Sequence, residues 1–110
     1  EEQYLNKYAF YYDNSDLNDG TGRHVQKIGQ KLSNGYGVHD MTGNVSEWCA
    51  DWSSEYLSEP QTDPLGPATG TSRIIRGGCY FDHCISSRIS RRVSFPPLFH
   101  FQQNGFRVCR

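Results

Sequence analysis

Glycine, proline and asparagine interrupt this chain too often for long regular elements, and that limits it to a small, loop-rich domain. From Ser53 to Ser72, Pro60, Pro64, Gly66, Pro67 and Gly70 leave room for neither a helix nor a central strand. Residues 13–24, DNSDLNDGTGRH, read as a second loop, and SNGYG and MTGN as turn clusters. The remaining segments are short. EQYLNKYAFYY (residues 2–12) predicts a short helix or an irregular strand, and VQKIGQKL alternates weakly. NVSEWCADW is a helix or a strand. RIIRGGCYF is a strand closing in a bulge or tight turn at its Gly-Gly, and GFRVC is a last strand. No repeat or internal boundary appears. The expectation is one α+β domain over residues 1–110 with a high loop fraction. At 110 residues its core is modest, so metal or disulfide staples are expected to help it.

Four cysteines, Cys49, Cys79, Cys84 and Cys109, allow three full pairings. They show no CxxC or Cys/His spacing of a structural zinc site. Charge is uneven along the chain. Residues 1–70 carry four basic and eleven acidic side chains, whereas residues 71–110 carry seven arginines and one acid, Asp82. The arginines are dispersed and no lysine accompanies them. That favours arginines pairing with the acidic half over a nucleic-acid surface. No apolar run approaches membrane-spanning length. The chain opens on EEQYLNKYAF without Met, which is compatible with a leader upstream.

The run from Asn34 to Trp52, NGYGVHDMTGNVSEWCADW, resembles the NxxGLYDMxGNVWEWxxDW signature of the formylglycine-generating, sulfatase-modifying enzyme family. Asp63-Pro-Leu-Gly-Pro67 with Gly70 resembles its NPxGPxxG loop. Arg73-Ile-Ile-Arg-Gly-Gly78 resembles its RVxRGGS strand, and Gly105-Phe-Arg-Val108 its closing GFRV. Arg88, Arg92 and Pro97 fall at its CRSAxRxxxxP spacing, with Ser87 in the Cys place. The resemblance runs from about Val25 to the end. It implies a C-type-lectin-like fold with a small antiparallel sheet, two short helices and much loop. The family's N-terminal portion is absent here, so the chain reads as a truncated piece or a minimal version.

Asp40 and Glu47 are hard oxygen donors in a tight, glycine-containing loop, which suits calcium. The resemblance implies a Ca²⁺ ion held by the side chains of Asp40 and Glu47 and the carbonyls of Gly43 and Val45. The alternative is that both acids cap or pair with the arginine-rich half. Asn14, Asp16, Asn18 and Asp19 form a further candidate ion loop with a poorer match, and Trp48 and Trp52 are expected in the core. The family's enzymes use copper and oxygen to oxidise a substrate cysteine to formylglycine. They work through two cysteines in a C-x4-C arrangement, a spacing at which thiolates hold Cu(I) together. Cys79-x4-Cys84 has that spacing but the wrong register. Counted from Gly77-Gly78, the enzyme cysteines fall at Asp82 and Ser87, whereas counted back from Arg92 the pair aligns once a three-residue gap is placed in the enzyme; a disulfide or two independent thiols is the plain alternative.

Residues 79–101, CYFDHCISSRISRRVSFPPLFHF, hold four phenylalanines and two histidines but no Lys, Glu, Gln, Met or Trp. Those five types fill fifteen of the preceding 78 positions, a rate that would place about four in the window. An AAC codon with its adenines replaced by any base yields Phe, Tyr, His, Cys, Arg or Leu among others, but none of the five absent types. This pattern resembles the variable proteins of diversity-generating retroelements, some of which use the same fold and vary between the RGG strand and the closing GFR. That resemblance implies a non-catalytic, ligand-binding domain from a bacterial surface, an extracellular setting or a phage particle. Its partner would be a protein or cell-surface ligand. The candidate contact residues are Tyr80, Phe81, Asp82, His83, Arg91, Val93, Phe95, Leu98, Phe99, His100 and Phe101. So many aromatic and apolar side chains cannot all be core in so small a domain, and exposed ones mark binding surfaces. The alternative is a copper-dependent formylglycine-generating oxidase, or an inactive relative, with Cys79 and Cys84 as its catalytic residues.

Overall fold

The computed structural model describes residues 2–16 and 18–108. Helix α1 (Glu2–Tyr8) carries Glu2 in its first turn and Lys7 in its last, the charge order that the helix dipole favours. No residue of the helix is itself buried. It delivers the chain to Ala9, Phe10 and Tyr11, which are buried.

The framework is a four-stranded sheet. β1 (Ser46–Trp52) pairs antiparallel with β2 (Arg73–Arg76), and β2 pairs antiparallel with β3 (Val93–Phe95). β4 (Asn104–Gly105) runs parallel to β1 on its other side, giving the order β3-β2-β1-β4. Ile74 and Ile75 in β2 suit the half-covered surface of a sheet and are buried there with Cys79 and Tyr80. The segment NVSEWCADW therefore resolves to strand. RIIR is a strand that ends, as expected, in Gly77 and Gly78 at φ 93° and 70°. Trp48 and Trp52 are half-buried rather than core.

Three further expectations change. Among the described residues, the closing GFRVC contributes only Gly105 to a strand. Its Gly105 pairs with Glu47, next to the Asn104–Ser46 pair, and beyond it Arg107 turns to the Glu47 side chain instead of extending the ladder. VQKIGQKL pairs with no strand. One α-helix forms among the described residues, and a 3-10 turn, Cys84–Ser87, is the other helical piece. The arginine-rich half also meets its expected acidic partners sparingly. Among the described residues, Arg107–Glu47 is the ion pair that joins the halves, while Arg91 pairs with Asp82 inside its own half. Arg73 and Arg92 instead stack over Trp52 and Tyr56, as Arg23 of the other half does over Tyr12, an arrangement the planar guanidinium favours.

Gly43 and Asn44 lock the N-terminal segment to the sheet. A Cβ on Gly43 (φ 75°) would sit 2.2 Å from the Phe10 carbonyl oxygen, so only glycine fits there. Asn44 is 2% exposed and adopts φ 60°, which asparagine tolerates. Its main-chain N–H donates to the Phe10 carbonyl, and its carbonyl accepts from Tyr80 N–H. Its side-chain amide exchanges two hydrogen bonds with the main chain of Gln26. Four stretches of chain thus meet at one buried residue.

Candidate functional site

The four candidate calcium ligands come together. Asp40, Gly43, Val45 and Glu47 line one cavity of about 500 Å³. Asp40 adopts φ 55°, and its Oδ2 accepts a hydrogen bond from Gly29 N–H at 2.7 Å. Its Oδ1 is buried with no hydrogen-bond partner, a costly state for a carboxylate oxygen and one that a cation would relieve. Glu47 is differently placed, because both of its oxygens accept from Arg107, at 2.7 and 3.0 Å. The donor set therefore fits calcium at Asp40, while Glu47 would be shared with the guanidinium. In the other candidate loop the donors are spent on local turns. Asn14 bonds Tyr11, Ala9 and Asn6, Asp16 accepts from Asn18 N–H, and Asp19 accepts from Thr21. Among the described residues, no three His, Cys, Asp or Glu side chains converge.

The candidate contact residues fall into two aromatic groups. Phe95, Phe99 and Phe101 pack ring against ring with centroids 4.7 to 5.4 Å apart. Phe99 and Phe101 remain 46% and 42% exposed, and Leu98 beside them is 85% exposed. His100 is exposed, and Phe95 and Val93 are half-buried in β3. In the second group Phe81 (55% exposed) and exposed His83 surround Tyr12, at 6.0 and 4.2 Å between centroids. Tyr12 lies far outside the 79–101 window, and the composition argument missed it. Its N–H donates to the Asp82 carbonyl, and Arg23 covers its ring at 3.7 Å. The tyrosine-rich run YAFYY was the available signal. Tyr80 does not share the exposure expected of it. It is 6% exposed, in the core, with its carbonyl held by Ser15. Asp82 and Arg91 are half-buried and engaged with each other at 3.3 Å, and Asp82 also accepts from Cys79 N–H.

The cysteines are free thiols at Cys49, Cys79 and Cys84, and Cys109 lies outside the described residues. Burial pushes the Cys79 thiol up to about 11. A hydrogen bond to the Glu2 carboxylate, at 3.4 Å, raises Cys84 as well. Both groups therefore favour the protonated thiol more than an ordinary cysteine does. The positions reached by counting from Gly77-Gly78 hold the ion-paired Asp82 and the buried Ser87, whose hydroxyl has no partner.

The four-stranded sheet, the short helix and the looped connections define a domain of the C-type-lectin-like type found in formylglycine-generating enzymes. The profile of the Sulfatase-modifying factor enzyme 1-like domain matches residues 1–110, and the chain belongs to that family. A formylglycine-generating enzyme of Streptomyces coelicolor is 43% identical over 81 residues, covering 69% of this chain and 26% of that protein. A serine/threonine-protein kinase, pkn1, of Chlamydia pneumoniae is 47% identical over 81 residues, 70% of this chain and 13% of the kinase. Among solved structures, Treponema denticola variable protein 1 superposes with a TM-score of 0.84 at 32% identity, over 96% of this chain and 37% of that one. PvdO from Pseudomonas aeruginosa superposes with a TM-score of 0.73 at 25% identity, over 91% and 38%. The chain thus spans well under half the length of each of these proteins. No helix among the described residues is long and apolar enough to cross a membrane.

Proposed function

We propose that this chain is a non-catalytic, sequence-variable domain that binds a protein or cell-surface ligand through the aromatic side chains of residues 79–101. The observation that carries the reading is the surface group of Phe95, Phe99 and Phe101. Its rings pack against one another, Phe95 and Phe99 stacked, while Phe99 and Phe101 stay more than two-fifths exposed. Core packing would bury such rings, and a soluble surface tolerates them where a partner covers them. The close superposition on a Treponema variable protein supports the same reading. A display role fits an extracellular, bacterial-surface or phage setting. In this account Ca²⁺ is structural, held at Asp40, Gly43, Val45 and Glu47. It supplies a rigid cross-link, and the variable side chains stay clear of it.

The second reading is a copper-dependent formylglycine-generating oxidase, favoured by the 43% identity to the Streptomyces enzyme. Asp82 and Ser87 stand against it, because neither supplies a thiolate. The test is to incubate the copper-loaded protein with a sulfatase-type cysteine peptide under oxygen and follow peptide mass. No conversion is expected. Conversion that is lost in Cys79→Ser or Cys84→Ser would overturn the non-catalytic reading.

A further inference from the structure

The geometry points to a second ligand site, away from the aromatic residues of the proposed binding surface: a cleft for an amphipathic monoanion, a carboxylate on an apolar body. The long Pro/Gly-rich connection after β1 and the strand side of β2 enclose a cavity of about 460 Å³. It adjoins a second one of about 540 Å³. These volumes fall within the usual span of small-molecule sites, roughly 300–1,000 Å³. Arg92 lines both cavities. Its guanidinium lies over the Tyr56 ring at 3.8 Å, and no carboxylate comes within 4.0 Å of it among the described residues. Arg76 fixes the same ring from the side, with Nη2 3.4 Å from the Tyr56 hydroxyl. Tyr56 is therefore held by two arginines although it is 70% exposed.

The two compartments differ in chemistry. The compartment around Arg92 is lined by Ser53, Ser54 and Ser94 together with Glu55, Ile74 and Val93, so the guanidinium and the serine hydroxyls are the donors it offers an oxyanion. The other compartment presents Tyr56, Leu57 and Leu65, the last two 71% and 88% exposed. Such a cleft binds a carboxylate at Arg92 and covers the ligand's apolar body with Tyr56, Leu57 and Leu65. Glu55 lines both compartments and Asp51 the apolar one. They disfavour a dianion such as a phosphate monoester and restrict the ligand to one negative charge. Arg92, like Arg88 and Pro97, falls at the family's CRSAxRxxxxP spacing.

The ligand chemistry could be supplied by a free apolar acid or by a peptide's C-terminus. The test titrates the whole chain with N-acetyl-phenylalanine, with N-acetyl-phenylalaninamide, and with a pentapeptide ending in Ala-Phe carboxylate. Calorimetry and Trp52 fluorescence are the readouts. The acid should bind saturably and the amide at least about tenfold more weakly, because the charge-assisted hydrogen bond is gone. Tighter binding of the pentapeptide identifies a peptide terminus, and equal binding a free acid; both support the site. Arg92→Met should lose discrimination between acid and amide. Leu65→Asp, at a position 88% exposed, should weaken both ligands by removing apolar cover, and the acid more than the amide because of the added negative charge. Absence of saturable binding, equal affinity for acid and amide, or full acid affinity in folded Arg92→Met or in Leu65→Asp would overturn the proposal.

Discussion

Arg107 grips both oxygens of Glu47, with Nη2 2.7 Å from Oε1 and Nε 3.0 Å from Oε2, and so ties the last motif of the chain to its first. The same Nη2 donates to the carbonyls of His39 and Asp40, one residue group removed from the buried, unpartnered Asp40 Oδ1. A guanidinium and an unsatisfied carboxylate oxygen therefore share one cavity. The pair is partly shielded, with side chains 32% and 22% exposed. Arg107→Met is expected to cost about 1 kcal/mol in urea denaturation, toward the upper end for an accessible ion pair.

Calcium is expected to stabilise the domain by binding the folded state at Asp40. Saturating Ca²⁺, about 100 times its dissociation constant, should add about 2.7 kcal/mol by mass action. A thermal melt with Ca²⁺ against one with chelator measures this. Asp40→Asn should abolish the calcium response, whereas Arg107→Met should keep it, because Glu47 is then released to the ion. An unchanged melting temperature in wild type would remove calcium from the account.

Gly43→Ala should cost roughly 3 kcal/mol, from the left-handed backbone and the Cβ that would meet the Phe10 carbonyl oxygen at 2.2 Å. Asn44→Ala should be comparably damaging, since it strips both hydrogen bonds from Gln26. By contrast Leu98→Ser and Phe99→Ala, at exposed positions, should change stability by less than about 1 kcal/mol. Ile75→Ala in the core should cost about 2–5 kcal/mol. Chemical denaturation of the five variants checks the contrast. A large loss at Leu98 or Phe99 would make that surface structural.

Cys79 should resist alkylation at pH 8 unless the domain is unfolded, because burial raises its thiol to about 11 from an ordinary 9.0. The sign for stability follows. The folded state holds its proton more tightly than the unfolded chain, so stability is intact below pH 9 and falls as pH rises from about 9 toward 11. Cys79→Ala should flatten that part of the pH profile. Mass spectrometry after iodoacetamide and urea melts from pH 7 to 10.5 measure the two effects.

The sequence exposed the framework more clearly than the surface. Gly43, Gly77 and Gly78 were legible because a left-handed or crowded backbone leaves few choices of residue, and RIIR because β-branched residues suit a covered strand. NVSEWCADW stayed ambiguous between helix and strand, since its fate depends on β2 arriving 20 residues later. Tyr12 and Tyr56 were not legible as surface partners. Their roles arise from chain crossings that bring them to His83 and to Arg92, and no local pattern encodes such a crossing. Tyr80 was misjudged for the complementary reason. The window's composition speaks to which residue types occur, while the Gly77-Gly78 turn decides which of them point inward.

The central claim is that the surface formed by residues 79–101 varies while its scaffold stays fixed. The most direct measurement is deep sequencing of this gene's 3′ end across one descended population. The account predicts substitutions confined to adenine positions in the codons of residues 79–101, with Arg76-Gly77-Gly78 and Gly105-Phe106-Arg107 untouched. An invariant stretch, or substitutions spread evenly over bases and across the scaffold, would contradict it.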